Sequence, residues 1–154
     1  MASDILKNVY LFKDMSRDEI DPLLKAVSTV GYAKGDMVFQ QDTPADALYI
    51  IKFGSVRVLQ KGGKGEQVEV SVLGTGSHFG ELPLVDGGKR SASVEACEKT
   101  ELIRIDYKGL QEALMKNAVA AMKFYRALAH FLAGRLRVTT TDLSFAREMN
   151  LRHF

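Results

Sequence analysis

The hydrophobic pattern changes period once, near Asp106, and that change governs what the chain can fold into. From about residue 29 to 106, short runs of Val, Ile, Leu, Tyr and Phe alternate with glycine-rich turns; beyond Asp106 the apolar residues recur at helical spacing. The early runs predict strands over 37–40, 47–52, 56–60, 68–73, 93–96 and 101–105, with turns at Asp42-Thr43-Pro44, Phe53-Gly54 and a hairpin tip at 61–65. Many short strands at this spacing favour a compact antiparallel barrel or roll. Ahead of them, Ser16-Arg17-Asp18-Glu19 has the pattern of a capping box and predicts a helix over 17–27.

The helical part divides into a short segment near 107–115 and a long one from about Ala118 to at least Val138. Phe124, Leu128, Phe131 and Val138 form one stripe, suited to covering the roll. Tyr125, Ala129, Leu132, Leu136, Thr139, Leu143 and Ala146 form another, which repeats like a coiled-coil seam. A second stripe needs a second helix, and the remaining chain is too short to supply one. A homodimer through the 118–146 helix is therefore expected.

With 154 residues, 46% hydrophobic and 26% charged, the chain suits one soluble globular domain and excludes a disordered or fibrous one. The single cysteine, Cys97, leaves no internal disulfide or Cys-based metal set, and the three scattered histidines have no ligand spacing. No metal and no cofactor are expected. The N-terminus lacks a secretory pattern and no stretch is long and apolar enough to span a membrane, so a cytoplasmic location is expected. The segment 117–154 carries 6 basic and 2 acidic side chains. That surplus reads as a solvated helix face, since nucleic-acid sites cluster Lys and Arg more densely.

Gly74-Thr75-Gly76-Ser77-His78-Phe79-Gly80 has its third glycine one place too late for a dinucleotide fingerprint, and Gly88-Lys89-Arg90-Ser91 breaks the phosphate-loop pattern. What remains is Phe79-Gly80-Glu81-Leu82-Pro83-Leu84, a loop, and Arg90-Ser91-Ala92 entering a strand. Gly80 permits a tight turn into a helix that begins with Glu81 and Leu82. Free amides there favour an anion, and Arg90 adds a fork of donors matched to phosphate. Glu81 would repel that anion unless it accepts from sugar hydroxyls. A surface salt bridge between Arg90 and Glu81 is the plainer alternative. No triad, paired carboxylates or Cys/His pair points to an enzyme. His78 neighbours this segment, while His130 and His153 read as packing or solvent residues.

Phe79-Gly80-Glu81-Leu82 with Arg90-Ser91-Ala92 resembles the phosphate-binding cassette of cyclic-nucleotide-binding domains. The resemblance extends over roughly 9–138, through Asp42–Tyr49, Ile51–Val58 and Leu102–Asp106. It implies an α+β, mainly β fold: an antiparallel, jelly-roll-like β-roll with an N-terminal helix, a short cassette helix and long C-terminal helices. It further implies a domain over 1–138, with 139–154 as helix extension or tail. By resemblance the ligand is cAMP, or cGMP. Arg90 then holds the exocyclic phosphate oxygens, Ser91 and Ala92 assist, Glu81 takes the ribose 2′-hydroxyl and Gly80 contributes backbone. Leu82, Val70 and Leu73 surround base and sugar.

Two features depart from the family. Pro83 has no N–H to give a phosphate. The run Arg135–Thr140 resembles the end of the dimerising helix in activator-type members, where polar side chains touch adenine, but arrives about one helical turn late. Either the helix has an extra turn and Thr139 or Thr140 meets the base, or Arg135 and Leu136 do. The 16 residues after 138 are too few for a winged helix-turn-helix, so no direct DNA binding is expected. The expected function is a cyclic-nucleotide sensor that signals through its C-terminal helix to an unidentified effector protein. The alternatives are a scaffold that retains the fold without the ligand, and a truncated DNA-binding regulator.

Overall fold

The computed structural model describes residues 2–152, with side chains described for 3–149; the expectation for His153 lies outside the described residues. The strands are β1 (Val27–Tyr32), β2 (Met37–Phe39), β3 (Ala47–Phe53), β4 (Ser55–Lys61), β5 (Gln67–Gly74), β6 (His78–Phe79), β7 (Ser93–Ala96) and β8 (Thr100–Asp106). The helices are α1 (Ala2–Lys7), α2 (Arg17–Ile20), α3 (Leu82–Asp86), α4 (Tyr107–Met115) and α5 (Ala118–Arg152). Two antiparallel sheets, in the orders β1-β8-β3-β6 and β2-β7-β4-β5, face each other as a β-roll with helices at both ends of the chain.

The helix expected over 17–27 is only partly there. Its capping box is intact: the Glu19 amide donates to Ser16 Oγ at 3.2 Å and the Ser16 amide to Glu19 Oε1 at 2.9 Å. Pro22, however, offers no N–H to an α-helical ladder, and 3-10 geometry takes over across Asp21–Ala26. Val27–Tyr32 then forms β1, an edge strand whose partial burial and Ser-Thr-Gly content gave no apolar alternation to read. The two-residue β6 was likewise too short to carry a pattern.

Strand β3 explains how one roll supports two cores. Ala47, Tyr49 and Ile51 point between the sheets with Val56, Phe79, Val94 and Leu102. Leu48 and Ile50 point the other way, into a layer built with Leu11, Phe12, Leu110, Phe124 and Leu128. The period of two thus serves a strand buried on both faces. At the β3–β4 turn Gly54 has φ +97°, and a Cβ there would meet Thr100 Oγ1 at 2.4 Å, so only glycine fits.

Helix α5 packs by its first half only. Phe124 and Leu128 are buried and Phe12 meets Phe124 at 5.5 Å, but Val138, expected on the covering stripe, is 62% exposed. At that level the body reaches α5 only on another face of the helix. Lys123 Nζ reaches Glu19 Oε1 at 2.7 Å, fastening the packed half to the capping box. No helix among the described residues is long and apolar enough to cross a membrane, and no His/Cys/Asp/Glu group among them has metal-binding geometry.

Candidate functional site

The turn between β6 and α3 sets the site. Gly80 has φ +83°, a left-handed conformation natural to glycine, and its carbonyl points at the Arg90 guanidinium. Glu81 is the N-cap of α3, so the helix begins at Leu82, one residue later than expected. Pro83 has no N–H and the Leu84 amide already donates to the Glu81 carbonyl at 3.1 Å. The turn therefore offers an anion fewer amides than a proline-free one would.

Arg90 arrives from the loop between α3 and β7, with its main chain fixed first. Its amide donates to the Thr43 carbonyl at 2.9 Å, and the Asp42 amide donates to the Arg90 carbonyl at 2.8 Å. The side chain is 3% exposed. Nη1 donates to the Gly80 carbonyl at 3.1 Å and to Tyr107 Oη at 3.3 Å, Nη2 donates to the Ala47 carbonyl at 2.6 Å, and Cζ lies 3.9 Å from the Phe39 ring centroid. Nε is buried without a hydrogen-bond partner. The fold thus settles the entropy and desolvation of this cation in advance, and its planar fork is of the kind that suits an anion.

Tyr107, the first residue of α4, donates its hydroxyl to the same Gly80 carbonyl. Burial pushes this phenol up to about 12, with Arg90 opposing the shift, so it remains a neutral donor. The salt bridge weighed for Arg90 and Glu81 is not present among the described residues. Glu81 is 3% exposed, and its nearest ionisable partner is His78, with Nδ1 3.5 Å from Oε2.

These residues open onto a cavity of about 390 Å³, within the range of small-molecule sites. Gly80, Glu81, Leu82, Arg90, Ser91 and Ala92 line it, as do Val70 and Leu73 from β5 and Arg135, Leu136 and Thr139 from α5. Thr140 does not line it; its hydroxyl donates back to the Leu136 carbonyl at 2.8 Å. Of the two alternatives for the late helix, Arg135, Leu136 and Thr139 all reach the cavity. Among its described lining residues Glu81 is the one carboxylate, against Arg90 and Arg135, so the balance favours an anion.

Three further residues join the site without a signal in the sequence: Phe39 beneath the guanidinium, Gln60, whose Nε2 donates to the Ser91 carbonyl at 3.1 Å, and Tyr107. Phe39 and Tyr107 lie far from the cassette in sequence. Only their convergence through β2 and α4 reveals them.

Comparison with known proteins points the same way. The family model described as "Cyclic nucleotide-binding domain" matches residues 29–117. The Cyclic AMP receptor protein of Thermus thermophilus is 35% identical over 141 residues, covering 90% of this chain and 62% of that protein. A cGMP-dependent protein kinase of Eimeria tenella is 36% identical over 92 residues, 60% of this chain and 9% of the kinase. Among solved structures, Thermus thermophilus Catabolite Activator Protein superposes with a TM-score of 0.76 at 32% identity, covering 88% of this chain and 62% of that one. The chain thus spans less than two thirds of the length of the receptor protein it matches.

Proposed function

This chain belongs to the cyclic nucleotide-binding domain family, and from that premise we propose that its cavity binds a cyclic purine mononucleotide, cAMP in preference to cGMP, and that occupancy is signalled through α5. The observation that carries this reading is the Arg90 guanidinium, buried in the cavity wall with an unpartnered Nε–H. A buried donor without an acceptor is costly, and a phosphate oxygen is the acceptor that a guanidinium fork matches. Arg90 takes the exocyclic phosphate oxygens, with Ser91 and Ala92 beside it. Glu81 takes the ribose 2′-hydroxyl. Leu82, Val70 and Leu73 give apolar contact to sugar and base, and Arg135, Leu136 and Thr139 meet the base from α5. Thr139, rather than Thr140, is the residue assigned to the adenine amino group.

The nucleotide domain in this reading is 1–138, with 139–154 as helix extension or tail. Tyr125, Leu136 and Leu143 are 41%, 67% and 54% exposed along α5, an apolar seam that a second copy of the chain would cover. The protein is then a cytoplasmic, non-catalytic homodimer whose helix surface is offered to an effector protein rather than to DNA. Pro83 favours a second reading, a scaffold of the same fold that no longer binds nucleotide. Titration calorimetry with cAMP and cGMP tests both. Saturable cAMP binding supports the sensor, cGMP binding tighter by tenfold or more reverses the base preference, and no binding of either supports the scaffold.

A further inference from the structure

Three buried polar atoms at one edge of the cavity lack a hydrogen-bond partner: Nδ1 and Nε2 of His78 and Oε2 of Glu81. Nδ1 and Oε2 are 3.5 Å apart, and the two side chains are only 4% and 3% exposed. Glu81 lines the cavity and His78 does not, so the imidazole stands behind the carboxylate rather than in front of it. The ring is held from two sides. Its backbone is paired with Ile50 in β3, and Phe131 of α5 sits against it with ring centroids 4.3 Å apart.

A buried carboxylate oxygen and a buried imidazole nitrogen do not tolerate isolation, and each is the natural partner of the other. Closing the gap by a few tenths of an ångström forms an ordinary N–H···O bond. The tautomer with hydrogen on Nδ1 satisfies Oε2 and leaves Nε2 as a bare acceptor, the cheaper of the two ring nitrogens to leave unpaired.

We propose that His78 is a positioning residue: its Nδ1–H holds Oε2 of Glu81, fixing the carboxylate so that it presents its other oxygen to the ligand's sugar hydroxyl. This rests on the nucleotide reading of the cavity and adds to it the residue that sets discrimination for ribose. Phe131, tilted 54° to the imidazole, packs against it and limits its rotation, so α5 backs the group that grips the sugar.

The test compares affinities for cAMP and 2′-deoxy-cAMP by calorimetry. Wild type is expected to prefer cAMP by at least about tenfold, the worth of a hydrogen bond to a charged group. His78→Phe fills the same space without a donor; it is expected to bring that ratio within about threefold while leaving 2′-deoxy-cAMP affinity nearly unchanged. His78→Asn, whose amide nitrogen can stand where Nδ1 stands, is expected to restore most of the preference. A wild-type ratio in His78→Phe overturns the proposal while leaving nucleotide binding intact. No binding of either nucleotide by wild type overturns the nucleotide reading and this inference with it. Long-range proton–nitrogen NMR of the wild-type His78 ring needs no variant: a protonated Nδ1 is expected, and an unprotonated Nδ1 overturns the assignment.

Discussion

The Gly80 carbonyl accepts from Arg90 Nη1 at 3.1 Å, and a Cβ on Gly80 would come within 2.8 Å of that same nitrogen. Gly80→Ala therefore strains the left-handed backbone and pushes the guanidinium out of its seat. The left-handed conformation costs a non-glycine residue about 1–2 kcal/mol, so the variant should melt lower and bind cAMP more weakly. Unchanged melting with unchanged affinity would show that neither constraint operates.

Tyr107 shares that carbonyl with Arg90, and Tyr107→Phe should cost about 1 kcal/mol of stability, the worth of one hydrogen bond. The phenol is raised from 10 to about 12 in the fold by burial. A raised acid favours its protonated form in the native state, so its contribution is full below pH 10 and is lost as pH rises towards about 12. Urea unfolding of wild type and Tyr107→Phe should differ near neutral pH and converge in alkali. A difference that grows with pH would contradict the sign.

Much of this was legible in the chain. The cassette turn, the arginine and the strands over 47–52, 56–60 and 101–105 announce themselves through glycine, alternation and spacing, all local signals. β1 and β6 did not, because an edge strand needs no apolar alternation and a two-residue strand has no period. Tyr107 read as the start of a helix, and nothing local says that its hydroxyl crosses to a carbonyl 27 residues earlier. Val138 departs for a related reason: its stripe continues, but there the body meets α5 on the face that carries Leu136 and Thr139 instead.

Pro83 lies buried at the start of α3, where another residue would bring an amide. Pro83→Ala is expected to tighten cAMP binding by up to roughly tenfold through one added donor to a charged group. Melting without ligand checks that the helix is preserved. An unchanged dissociation constant at unchanged melting temperature would show that the missing amide is irrelevant.

In α5, Val138-Thr139-Thr140-Thr141 are β-branched, and the Thr140 and Thr141 hydroxyls donate to the carbonyls of Leu136 and Arg137 at 2.8 and 3.0 Å. Such residues have lower helix propensity than alanine by a few tenths of a kcal/mol each, and Gly134 lowers it by about 1 more. A base docked on Arg135, Leu136 and Thr139 adds contacts where the helix is weakest, shifting its population towards the bound form. Hydrogen exchange over 132–145 should slow when cAMP is added, beyond protection at 79–92. Equal exchange would remove α5 from the signal.

The central claim rests on Arg90, so calorimetric cAMP affinity of wild type and Arg90→Ala tests it most directly. Loss of a charged hydrogen bond worth about 1.5–3 kcal/mol predicts at least roughly tenfold weaker binding in the variant. Equal dissociation constants for the two proteins would contradict the account.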